Sequence, residues 1–195
     1  MNKKGMRIMM AMAIAMLCLS LAACASTPVT QSEKMEQKDS LRAMASQSLA
    51  QLYKTNPAAK SAVANAAGYA VFSNFGFKIS VMGGVKGKGV AINNTTKHET
   101  FMKMMEFQPG LGVGAEKFRV ILVFENSAAF NTFVTSGWEA GANAMMAAKS
   151  KTDGGAFTGA VSVSEGVHMY QETEEGLIIG VSITGARYYK DTDLE

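Results

Sequence analysis

Two histidines, two cysteines and a group of lysines are the places where this chain could carry chemistry. His98 and His168 each stand alone, outside any H-x-x-x-H or H-E-x-x-H pair, so neither has the spacing that lets one helix face hold a metal. Each reads as a residue of a surface strand. No G-x-S-x-G elbow supplies a nucleophile for either to activate. Glu172, Glu174 and Glu175 crowd an expected hairpin turn, where solvation is the plain reading and a divalent-ion contact the alternative. Two glycine runs imitate phosphate-binding loops. In Gly83-Gly-Val-Lys-Gly-Lys-Gly, the first glycine of a P-loop would fall on Met82, and Gly89 stands where Ser or Thr must meet the metal. Gly110-Leu-Gly-Val-Gly-Ala fits a dinucleotide fingerprint but does not open a helix, because Lys117 to Phe124 is strand-like. No cofactor, metal or catalytic constellation is expected. The chain reads as non-enzymatic.

Cys24 has a different role. Before it, Lys3, Lys4 and Arg7 form a basic front, Ile8 to Leu21 an apolar middle and Leu21-Ala-Ala a small-residue end, the three parts of an export signal. The apolar middle, at ~1.5 Å per residue, spans about 21 Å, short of a ~30 Å hydrocarbon core. Leu21-Ala22-Ala23-Cys24 resembles the bacterial lipobox, which implies diacylation of the Cys24 thiol and a new N-terminus there. Two or more acyl chains anchor stably where one holds only marginally. With Cys18 discarded and Cys24 acylated, the mature chain has no thiol for a disulfide, catalysis or a metal. Ala25 stands where retained lipoproteins carry Asp, so the resemblance implies the outer membrane, facing the periplasm.

Removing the leader also changes the charge. The whole chain has 19 basic and 16 acidic residues; three of the bases lie in the leader, leaving 16 of each after position 23. A neutral mature chain has no excess of Lys and Arg for nucleic acid.

The elements that must position these residues follow. Residues 1–23 are the signal, 24–38 the lipidated cysteine and a polar tether, and 39–195 one domain. From Asp39, apolar residues recur at helical spacing through Leu41, Ala45, Leu49 and Leu52, with Asp39 or Ser40 able to cap the start. The polar side of this helix is scarcely basic, which favours core packing over a membrane surface. Asn56-Pro57 is expected to cap a second helix, and Gly68 to end it. Tyr69 to Phe72 reads as a short strand, and Phe75 to Met82 with Val85 to Ile92 as a pair turning within Gly83 to Gly89. Glu99 to Phe107 and Phe118 to Phe124 are further strands, and Asn126 or Ser127 caps a third helix. Gly110, Gly112 and Gly114 would leave one strand face bare. Asn143 to Ala148 reads as a strand, Lys149 to Gly159 as a loop, and Val167 to Thr173 with Leu177 to Tyr189 as a final hairpin. The fold class is α+β, with a strongly bent, mostly antiparallel, glycine-rich sheet and a few packed helices.

Five segments in order, Ala66-Ala-Gly-Tyr-Ala-Val-Phe, Gly83-Gly-Val-Lys-Gly-Lys-Gly-Val, Gly110 to Phe124, Gly137-Trp-Glu-Ala-Gly-Ala and Glu175-Gly-Leu-Ile-Ile-Gly-Val-Ser-Ile-Thr-Gly, together resemble the SYLF domain. The resemblance spans roughly Ser40 to Tyr189 and implies binding of lipid, with anionic phospholipid the expected ligand. An envelope scaffold that contacts a protein partner is the alternative. Lys78, Lys86 and Lys88 gather around the expected glycine turn and are the candidates to meet an anionic headgroup.

Overall fold

A computed structural model describes residues 30–80, 82–107, 112–140, 157–173, 176–178 and 185–195. The leader, Cys24, Gly110, the expected strand at Asn143 to Ala148, most of the Lys149 to Gly159 loop and the Glu174-Glu175 turn lie outside them. Residues 34–195 form one compact unit.

Helix α1 (Gln31–Thr55) begins earlier than the apolar spacing suggests, so residues 31–38 of the expected tether are helical. Its start is a reciprocal cap. The Thr30 hydroxyl accepts from the Glu33 N–H at 3.3 Å, and the Glu33 carboxylate accepts from the Thr30 N–H at 2.8 Å. Donation from the Thr30 N–H, and from its hydroxyl, to the Glu33 carboxylate holds that carboxyl below its usual pKa. Asp39 therefore sits mid-helix, where it pairs with Arg42 instead of capping. Helix α2 (Ala58–Asn65) has no side-chain cap; the Asn56 amide donates to the Thr158 carbonyl instead.

Among the described residues, nine strands form one strongly curled antiparallel sheet: β1 (Gly68–Ser80), β2 (Met82–Asn93), β3 (Glu99–Phe107), β4 (Gly112–Phe124), β5 (Trp138–Ala140), β6 (Val161–Ser164), β7 (Val167–Thr173), β8 (Gly176–Ile178) and β9 (Ala186–Lys190). Their order is β5-β9-β3-β2-β1-β4-β7-β6, with β8 also on β7. Helix α3 (Ser127–Ser136) follows β4, capped as expected by Asn126, whose side chain accepts from the Ala129 N–H.

Three expectations change. The segment from Gly83 to Gly89 is the middle of β2, not a turn; β1 runs unbroken to Ser80 and pairs with β2 from Gly68↔Asn93 to Ile79↔Met82. The glycines serve close packing. A Cβ on Gly89 would lie 2.3 Å from the Val71 carbonyl oxygen and 2.6 Å from the Phe72 ring. Gly68 starts β1 rather than ending α2 in a left-handed conformation, and what requires glycine there is the Phe130 ring, 2.5 Å from where its Cβ would be. Lastly, Leu177 to Tyr189 is not one strand. Its end, β9, crosses to pair with β3 and β5 on the far side of the sheet.

Both faces of the sheet carry core. On the inner face, Phe72, Met102, Met104, Leu122 and Phe124 meet Phe130 and Phe133 of α3 and Tyr188 of β9. The rings interlock, with Phe72 edge-on to Tyr188 at 4.9 Å. On the outer face, Val71, Val90, Ile121, Val123 and Tyr170 lie beneath Ala45 and Leu52 of α1 and Ala59 and Val63 of α2. Complete burial of a side chain like Leu52 stabilises by about 1.5–3 kcal/mol. This outer cover extends over only part of the strands.

Candidate functional site

The uncovered part of the outer face has a repeating order. Side chains on one face of a strand recur every second residue. On β1 the outer positions run Val71, Ser73, Phe75, Phe77, Ile79; on β4, Ile121, Arg119, Lys117, Ala115, Val113. On β2 they run Val90, Lys88, Lys86, Gly84, Met82, and on β3 Phe101, Lys103, Met105, Phe107. Across four neighbouring strands the face therefore passes from covered apolar residues, through a cationic belt, to exposed apolar residues. Eight of the nine large apolar side chains left exposed among the described residues belong to this face, so it is a single patch and not scattered surface residues. Val113 is 89% exposed, Ile79 69% and Met82 63%. Contiguous apolar surface with a charged rim marks a surface for a partner or a membrane.

The belt residues Lys86, Lys88, Lys103, Lys117 and Arg119 line one groove of about 760 Å³ with Phe75 and Leu41, and no acidic side chain among the described residues lines it. Their charges are not equally free. The fully buried Asp191 accepts from Lys103 Nζ at 2.8 Å, and Asp193 lies 2.5 Å from the same nitrogen. Burial pulls the Lys103 ammonium down, but these two carboxylates outweigh it and hold its pKa above the ordinary value. Lys88 is shared between the Gln37 side chain at 3.0 Å and Asp191 at 3.9 Å. Lys86 and Lys117 have no ion pair among the described residues.

The structure thus brings Lys86 and Lys88 together on strands rather than on a turn. Lys78 is not with them. It pairs with Gly83 and Gly114, one residue out of phase with Phe77 and Ile79, and so lies on the opposite face. Sequence reasoning missed Lys117 and Arg119, although the period of two back from Ile121 was a usable signal.

The other singled-out residues are placed as follows. His98 occupies an exposed turn, not a strand, with its N–H donating to Thr96 Oγ1 at 3.3 Å. His168 is on a strand but buried, its ring stacked on Phe157 at 3.7 Å and its Nε2 2.6 Å from Glu125 Oε1. β7 is an interior strand, which explains the burial. The described residues contain no group of three or more His, Cys, Asp or Glu able to hold a metal. No described helix is long and apolar enough to cross a membrane.

Known proteins place this architecture in a family. Residues 105–195, from the end of β3 through the last strand, match the Ysc84 family model, described as "Las17-binding protein actin regulator". The chain is also 33% identical over 160 residues to "Beta cell expansion factor A" of Aeromonas veronii, an alignment covering 82% of this chain. The chain spans 59% of that relative's length. The chain carries a SYLF domain of the Ysc84 type.

Within this SYLF domain, a second buried acid besides Asp191 stands beside the belt. Glu172 of β7 pairs in register with Arg119 and is 2% exposed. Burial pushes its carboxyl up to about 7, against the opposing pull of Arg119. The fold therefore favours the protonated form. As pH rises from about 4.5 to about 7, the unfolded chain loses this proton first, so stability falls across that window by about 1–3 kcal/mol and levels off above it. Glu172→Gln should remove this component. The difference between wild-type and variant urea midpoints, measured from pH 4.5 to pH 8, checks it; parallel profiles would show that burial does not shift Glu172.

Proposed function

We propose that this chain is a lipid-anchored envelope protein whose SYLF domain binds phospholipid through the outer face of its sheet, anionic headgroups foremost, without covalent chemistry. The observation that carries the reading is the shared order on β1 to β4, a cationic belt followed by exposed apolar side chains on one face. That order matches the order of a bilayer, with phosphates outside and hydrocarbon within. Each cation near an anionic surface contributes about 1 kcal/mol, screened by salt, and the apolar end adds burial in the acyl boundary. The anchor on Cys24 supplies membrane residence, so the domain needs only modest affinity of its own. An exported chain meets no actin, so the actin role in the family description is not part of this reading.

The test uses residues 25–195, without the anchor, and vesicles of phosphatidylcholine with or without phosphatidylglycerol. Lys86→Glu with Lys117→Glu should weaken binding to the anionic vesicles more than tenfold at low salt. Lys78→Glu, on the opposite face, should bind close to wild type. Loss of binding in the Lys78 variant alone would move the site, and no vesicle binding by wild type would favour a scaffold with a protein partner. The anchor has its own check: the mature N-terminus should have the mass of an acylated Cys24, and an intact Met1 or a bare Cys24 would refute it.

A further inference from the structure

Beside the groove, between α1 and strands β4 and β7, lies a second cleft of about 390 Å³, lined by Gln47, Ser48, Gln51, Lys117, Arg119 and Glu172. Its polarity is unusual for a helix-on-sheet contact. Ser48 and Glu172 are buried here, at 4% and 2% exposure, where the rest of that contact is apolar. The Oε1 atom of Glu172 is enclosed and has no hydrogen-bond partner among the described residues. No ion pair among the described residues reaches this carboxylate. Arg119 is its register partner, yet its guanidinium is directed to Ser48 Oγ at 3.5 Å, the limit of a hydrogen bond. With no donor in the cleft the enclosed carboxyl favours its protonated form, and the carboxylate is held there only when a donor or a cation compensates it.

The cleft thus offers an acceptor that lacks a donor, next to two cations, Lys117 and Arg119. Its complement carries N–H donors at one end and an anion at the other. We propose that the cleft takes a phosphoethanolamine group, the ammonium on Glu172 and the phosphate on Arg119 and Lys117. A primary ammonium has three N–H donors and a positive charge to offer the carboxylate, where a choline nitrogen has no N–H to give. The planar guanidinium of Arg119 suits two phosphate oxygens at once. Ser73, Lys117 and Arg119 line both this cleft and the groove, so a headgroup held here has its acyl chains beside the exposed apolar residues. The inference rests on the lipid-binding reading for the source of the group, and adds that the face selects a headgroup bearing a primary amine beside its phosphate.

The experiment follows thermal melting of the full mature lipoprotein in detergent micelles. The micelles are doped with phosphatidylethanolamine, phosphatidylcholine or phosphatidylglycerol, and a parallel series receives soluble O-phosphoethanolamine or phosphocholine. Phosphatidylethanolamine should raise the melting temperature by about 5 °C near saturation, and phosphatidylcholine by much less. Glu172→Gln, which preserves shape and removes the buried charge, should abolish that difference while keeping any shift caused by phosphatidylglycerol. A shift with soluble O-phosphoethanolamine but not with the lipid would uphold the ligand chemistry and assign a soluble source. Equal shifts with ethanolamine and choline, or a preference that survives Glu172→Gln, would overturn the proposal. Failure of phosphatidylglycerol alone would count against the anionic belt and leave the cleft standing.

Discussion

Replacing Ile79, Met82 and Val113 together by serine is expected to lower partitioning of residues 25–195 onto anionic vesicles about a hundredfold. These side chains lie at one end of neighbouring strands, Ile79 pairing with both Met82 and Val113. All three are mostly exposed, so they contribute little to folding. A large apolar side chain gains about 1.5–3 kcal/mol on full burial, and partial insertion into the acyl boundary leaves about 1 kcal/mol each. Three such losses make about 3 kcal/mol, or two orders of magnitude in affinity. The melting temperature should stay within about 2 °C of wild type, since a surface change shifts stability by only a few tenths of a kcal/mol. High salt should not restore or mimic the effect, in contrast to the lysine reversals. Vesicle binding equal to wild type would show that the apolar end of the sheet stays out of the membrane.

Gly89→Val should have the opposite profile, destabilising the domain by about 3 kcal/mol or more whatever lipid is present. The new Cβ would meet the Val71 carbonyl at 2.3 Å, and neither that backbone, held in the β1–β2 ladder, nor the fully buried Phe72 ring can move aside. Gly114→Ala is the matched comparison. Nothing lies within 4 Å of the position its Cβ would take, and the substitution should change stability by no more than about 0.5 kcal/mol. Urea denaturation of the two variants separates them. Equal midpoints would mean that the β1–β2 ladder yields at Gly89 and that close packing is not what requires a glycine there.

The same pair of glycines shows how far the sequence could be read. The apolar, β-branched run puts Phe118 to Phe124 within β4, and the turn residues Asn93 to Thr96 lead into a strand at Glu99–Phe107, because these signals are local. The Asn126 cap and the helix after it were equally legible, since a cap acts on N–H groups two or three residues away. The Thr30-x-x-Glu33 box is equally local, but the apolar spacing begins only further on and marks a later helix start. Glycine is different, because the same residue serves a turn, a bare face or a close contact. By sequence a turn falls within Gly83 to Gly89, and only the neighbouring strand, bringing Val71 and Phe72 against Gly89, makes the segment a strand interior.

The candidate site divides in the same way. In the chain alone, a resemblance to the lipobox marks Cys24 as the candidate for acylation, the spacing of the histidines offers no metal pair, and Lys78, Lys86 and Lys88 stand out as cations. That Lys86 and Lys88 lie on one face follows from their spacing of two. What the chain could not show is that Lys117 and Arg119 of β4 and Lys103 of β3 stand level with them, or that Lys78, eight residues before Lys86, lies on the other side. Those facts depend on register between strands, a long-range property that a slip of one residue would invert. Burial of Glu172 against Arg119 is of the same kind. Its sequence neighbours, Gln171 and Thr173, are polar, and only the pairing of β7 with β4 beneath α1 turns a solvated acid into an enclosed one.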